Sequence, residues 1–144
     1  MINRVILGVF GLGSAELIIL LIIIPLALIP FVFYLITLQN ILKKVSPENQ
    51  KMPPANVWLL FIPLFNIGWH FVVVSRVSDS LKAEFTKRGI TFEAERPAYG
   101  VGLAYCILNC CTIIPVLGIV ASIGWLICWI IFWVKVSSYG TKLN

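Results

Sequence analysis

The chain has 144 residues, of which 60% are apolar and 12% charged, with a formal charge of +5 and a mean hydropathy of +0.98. That length leaves room for one domain, and such a balance of apolar over charged residues puts most of its mass in hydrocarbon. The 11 Lys and Arg flank apolar segments and form no basic stripe with interleaved aromatics, which fits orientation in a membrane and attraction to anionic head groups and excludes nucleic acid as a partner.

Residues 17–42, 52–75 and 101–134 carry no charge apart from the titratable His70. A helix needs about 20 apolar residues to cross a bilayer. The expected fold is therefore all-α: one integral membrane domain over residues 1–144, with about four hydrophobic segments near 15–38, 57–75, 98–113 and 118–135 and polar loops at 39–56 and 76–97.

The N-terminal residues resemble a basic-then-apolar signal, but the apolar run continues to Leu38 with no small-x-small site at signal-peptide distance. It reads as a retained first span, with residues 2–13 as an interfacial lead-in. Pro25 and Pro30 each remove an intrahelical hydrogen bond, which predicts a kinked span. An amphipathic extension follows through Gln39, Asn40, Lys43 and Lys44, and then Ser46-Pro47 and Pro53-Pro54 mark a loop.

The second segment resumes helix near Val57 and runs on past Ser75. Val77, Leu81 and Phe85 recur every four residues, and Asp79, Lys82, Glu84, Lys87 and Arg88 take the remaining, solvated faces. This predicts an amphipathic helix projecting into the cytoplasm and ending near Gly89. Pro97 is suited to open the next helix. The last 34 uncharged residues exceed one untilted span, and Pro115 and Gly118 supply turn chemistry, so a C-terminal helical hairpin is expected.

Ile62-Pro63-Leu64-Phe65-Asn66 echoes Ile114-Pro115-Val116-Leu117-Gly118, and each precedes a helix with a basic residue followed by Val-Ser. If Pro63 is only a kink, the second segment crosses once. If it is a turn, the segment is a re-entrant hairpin, and ten of the 11 basic residues share one side with Arg4 opposite. Both alternatives put the 76–97 loop and the C-terminus on the cytoplasmic side and leave the N-terminus open.

Asn66 and His70 lie four apart on one helical face, with Trp69 beside them and Arg76 about two turns further on. This polar strip suits either interhelical hydrogen bonding or the lining of a path. Glu16, near the start of the first span, reads as an interfacial carboxylate favoured by the helix dipole, or as a cation carboxylate partnered by His70 or Arg76. Trp125, Trp129 and Trp133 repeat every four residues as an aromatic stripe suited to helix packing or to lipid. Cys106, Cys110, Cys111 and Cys128 all sit in the last apolar region, where thiols behave as small hydrophobes, so no disulfide framework and no metal site are expected. With no Ser-His-Asp set, phosphate loop, HExxH or intramembrane carboxylate pair, the chain reads as a non-enzyme without a cofactor.

Residues 46–85 carry Pro47-x-Asn49, Met52-x-Pro54, Trp58-Leu59, Ile62-Pro63-x-Phe65-Asn66 and Trp69. This core resembles that of a group of small bacterial multi-spanning membrane proteins, and the resemblance implies a bacterial inner-membrane location and transfers no catalytic residue. The expected function is that of an accessory or stabilising subunit of a larger membrane complex, with the lipid bilayer and other membrane subunits or a second copy as partners. The alternative is a small transporter or channel formed by oligomerisation, lined by Asn66, His70 and Glu16.

Overall fold

A computed structural model describes residues 13–92 and 95–144. They form four α-helices and one 3-10 helix, with no strand among the described residues. The chain divides into two compact units, residues 1–34 and 35–144, and the division falls inside the first helix, α1 (Ser14–Lys44). The lead-in expected at residues 2–13 lies outside the described residues except for Gly13.

In the first unit α1 is apolar on every side. Ile18, Ile19, Leu20, Leu21, Ile22, Ile23 and Ile24 are consecutive and all exposed, and they cover the whole circumference of a helix that turns about 100° per residue. The helix runs without interruption through Pro25 and Pro30. Each proline withholds an N–H from the carbonyl four residues earlier, on Leu21 and Leu26.

The second unit contains the end of α1, the 3-10 helix (Pro54–Phe61), α2 (Phe65–Arg88), α3 (Tyr99–Cys111) and α4 (Gly118–Thr141). The expected helical segment from Val57 to Ser75 is interrupted. Pro63 has no N–H to continue a ladder, and Leu64 takes a left-handed φ of 65°, so the chain reverses. Asn66 Nδ2 donates to Leu60 O at 2.8 Å and Trp69 Nε1 donates to Asn56 O at 2.9 Å. Both bonds are centred on Ile62 and Pro63, as an antiparallel return requires. Of the two sequence alternatives, the backbone adopts a turn at Pro63.

Beyond the turn the periodicity reads correctly. Val77, Leu81 and Phe85 are fully buried. Gly89, at φ 66°, ends α2: Ile90 N–H reaches Phe85 O and Gly89 N–H reaches Thr86 O, the paired bonds of a Schellman motif that favours glycine at the left-handed position. The C-terminal hairpin is also present, with its turn at Thr112–Leu117. Pro97 does not open α3, which starts at Tyr99 after a left-handed Ala98, and α4 continues past Lys135 to Thr141.

Side-chain register aligns the helices. His70 meets Tyr105, and a Cβ on Gly102 would press on Val74 and Phe132, so α2 and α3 are antiparallel. That register sets Leu64 level with Thr112, and the two helical turns lie at the same end. α2 and α4 run parallel, with Phe85 against Tyr139 and Arg88 donating to Leu143 O. The end of α1 joins them: Lys44 Nζ donates to Gly140 O at 3.1 Å, and Arg88 Nη2 donates to Lys44 O at 3.3 Å. One end of this unit thus gathers the ends of three helices and their basic residues. The other presents exposed Leu64, Phe65, Ile113, Val116 and Leu117.

α1 and α4 are long and apolar enough to cross a membrane. α3, with 13 residues, rises only about 20 Å, and α2 reaches Arg76 about 16 Å after Phe65, both short of the ~30 Å hydrocarbon core. Length and composition therefore qualify two of the four expected segments.

Candidate functional site: a closed polar strip and a buried carboxylate

Of the expected polar strip, the structure joins Asn66 and His70, and both are engaged within the chain. Asn66 Nδ2 is engaged by Leu60 O, which turns Oδ1 toward His70 Nδ1 at 2.8 Å. That arrangement requires the proton on Nδ1. Nε2 is then the acceptor for the Tyr105 hydroxyl, its partner on α3. The Tyr105 ring stands edge-on to the imidazole at 5.0 Å and stacks against Trp125 at 6.2 Å and Phe132 at 6.4 Å. A buried neutral imidazole with both nitrogens bonded ties α2 to α3, which is the interhelical role of polar groups in apolar surroundings. Tyr105 was invisible to sequence reasoning, because nothing local links residue 105 to residue 70.

Arg76 is exposed and its guanidinium makes no hydrogen bond or ion pair among the described residues. Glu16 is exposed in the first turn of α1, where the positive end of the helix dipole favours a carboxylate.

The tryptophan stripe faces inward. Trp125 and Trp129 stack at 6.2 Å and 8°, Trp129 and Trp133 approach to 5.5 Å, and Trp129 is buried. Trp133 Nε1 donates to Thr37 Oγ1 at 3.1 Å. Of the two expected roles, helix packing or lipid contact, the row takes helix packing within the chain, against Tyr105 of α3 and Thr37 at the end of α1. The four cysteines are free, and no group of three or more His, Cys, Asp or Glu that could hold a metal occurs among the described residues.

The largest departure from the sequence reading is Glu84, expected on a solvated face and found completely buried. Its carboxylate accepts from Ser46 N at 3.0 Å, Ser46 Oγ at 3.0 Å, Asn49 Nδ2 at 2.8 Å and Arg88 Nε at 2.7 Å. Burial alone would raise its pKa, but the bonds from Asn49, Arg88 and Ser46 outweigh that and hold it down at about 2. Asp79 is likewise engaged: Arg96 Nε donates to it at 2.8 Å and Nη2 to Ser75 Oγ at 2.9 Å, while the guanidinium lies 3.7 Å over the Tyr99 ring. The available signal for Glu84 was the Ser-Pro-x-Asn turn at 46–49, whose donors need an acceptor.

Comparison with known proteins finds no matching family model, curated protein or solved structure.

Proposed function

We propose that this chain is a small, non-enzymatic protein of the bacterial inner membrane that serves as an accessory or stabilising subunit of a larger membrane assembly. The observation that carries this reading is the first unit of α1, whose consecutive Ile and Leu side chains are exposed around its full circumference. A helix with no polar face needs lipid or other helices on all sides. The polar groups that could do chemistry are already engaged: His70 by Asn66 and Tyr105, and Glu84 by four donors.

In this reading α1 crosses the bilayer. The 3-10 helix with α2, and α3 with α4, enter as two hairpins from the basic side, and their apolar turns at Pro63 and Pro115 remain in hydrocarbon. Residues 76–97, the end of α2 and its connector, and the C-terminus are cytoplasmic, because the basic residues concentrate at that end. Bacterial origin rests on the resemblance of residues 46–85 alone.

Gentle extraction at native expression level, followed by native mass spectrometry, tests the subunit role. Recovery with defined larger membrane subunits is expected. A bare homo-oligomer would overturn it.

A further inference from the structure

At the basic end of the second unit a cleft of about 560 Å³ opens between the connector after α2 and the last turns of α4. Lys135, Ser138, Tyr139 and Lys142 line it from α4, and Thr91 and Phe92 line it from the connector. Positions 135, 138, 139 and 142 share one helical face. The two lysines are two turns, about 10 Å, apart along the axis, close enough for two flexible four-carbon stems to converge on one group. The Lys142 ammonium stands 5.6 Å from the Tyr139 ring.

Two ammonium groups and three hydroxyls therefore meet here, and none has an intramolecular hydrogen bond among the described residues. The contrast with Glu84, His70 and Arg96 is sharp, since those groups are satisfied inside the chain. No described carboxylate lines the cleft. The chemistry that completes it is a compact anion with several acceptor oxygens.

What lies below the cleft selects among such anions. Ile127, Ile131 and Val134 continue down the same side of α4 and are exposed at 52%, 41% and 63%. Lys135 is the first charge after Arg96, so the cleft sits where α4 leaves its apolar stretch. We infer that the cleft between the connector and α4 binds the phosphate of an anionic glycerophospholipid, with Lys135 and Lys142 on the head group and the acyl chains along Ile131 and Ile127. Basic pockets at this depth are the usual recognition mode for anionic lipid heads. The inference rests on the membrane reading above and is independent of the subunit role.

The test is native mass spectrometry of the full chain in detergent, titrated with phosphatidylglycerol or phosphatidylcholine, for the wild type, the Lys135→Gln/Lys142→Gln variant and a Lys43→Gln/Lys51→Gln control of equal charge. Preferential retention of phosphatidylglycerol is expected, weakened roughly thirty-fold in the cleft variant, as two lysines near an anionic surface imply, and kept in the control. Equal weakening in the control would show diffuse attraction and overturn the site. Displacement of the lipid by millimolar inorganic phosphate would overturn the lipid as ligand in favour of a soluble phosphate. Failure to retain either lipid, by a protein that stays dispersed without detergent, would overturn the proposal through the membrane reading itself.

Discussion

Replacing Glu84 by Gln removes one charge and keeps the shape, and the structure gives the size of the effect. Four donors converge on the carboxylate at 2.7 to 3.0 Å, and an amide offers one acceptor oxygen while turning an NH2 toward donors. A hydrogen bond to a charged group contributes about 1.5–3 kcal/mol, and breaking a buried ion pair costs about 3–5 kcal/mol. Arg88 is 36% exposed and keeps Leu143 O and Lys44 O as acceptors, so water softens its share. Glu84→Gln should therefore cost about 2–4 kcal/mol, below the plain sum of four bonds, because the contributions are not additive. Denaturant unfolding in detergent, followed through labelling of the buried Cys106 thiol, measures it. The sign with pH follows from the carboxylate's depressed pKa. Its stabilisation is fully present above the ordinary value of 4.5 and is lost as pH falls through about 2. The variant should lose that component of acid sensitivity. A cost below about 1 kcal/mol, or an unchanged acid response, would show that the buried carboxylate does not hold the 46–49 turn to α2.

Gly102→Leu should destabilise by about 1–3 kcal/mol through overpacking, since a Cβ there already comes within 2.8 Å of Phe132 Cε2 and closer still to Val74. Val74→Ala in the same chain should restore part of the loss in the same unfolding assay. Tyr105→Phe leaves His70 Nε2 without its donor and should cost about 1–3 kcal/mol. A double-mutant cycle with His70→Ala should give a coupling of at least about 0.5 kcal/mol, and additivity would argue against the bond. Gly89→Ala, at φ 66°, should cost about 1 kcal/mol, read as a shift of the unfolding midpoint.

Local patterns were legible and distant partners were not. The apolar runs, the Val77, Leu81 and Phe85 row, the stop at Gly89 and the turn at Pro115 are all written in residues a few positions apart. Pro63 was legible only as two alternatives. Choosing between them required the bonds from Asn66 to Leu60 and from Trp69 to Asn56, which exist only once the chain has reversed. Glu84 was misplaced because its face on α2 is polar by pattern, and the loop that covers it comes from 35 and 38 residues earlier. The tryptophan row was identified as a row, but its direction depends on Tyr105 and Thr37, which lie on other helices. Helical spacing shows which side chains share a face and does not show what covers that face.

In the proposed topology the turns at Pro63 and Pro115 lie in hydrocarbon while the basic end lies in water. Single cysteines at Leu64, Val116 and Lys51 in a cysteine-free background, probed in intact cells and inverted vesicles with a membrane-impermeant maleimide, test it most directly. Labelling is expected at position 51 from the cytoplasmic side only, with protection at 64 and 116 from both sides. Ready labelling of 64 or 116 from either side would contradict it.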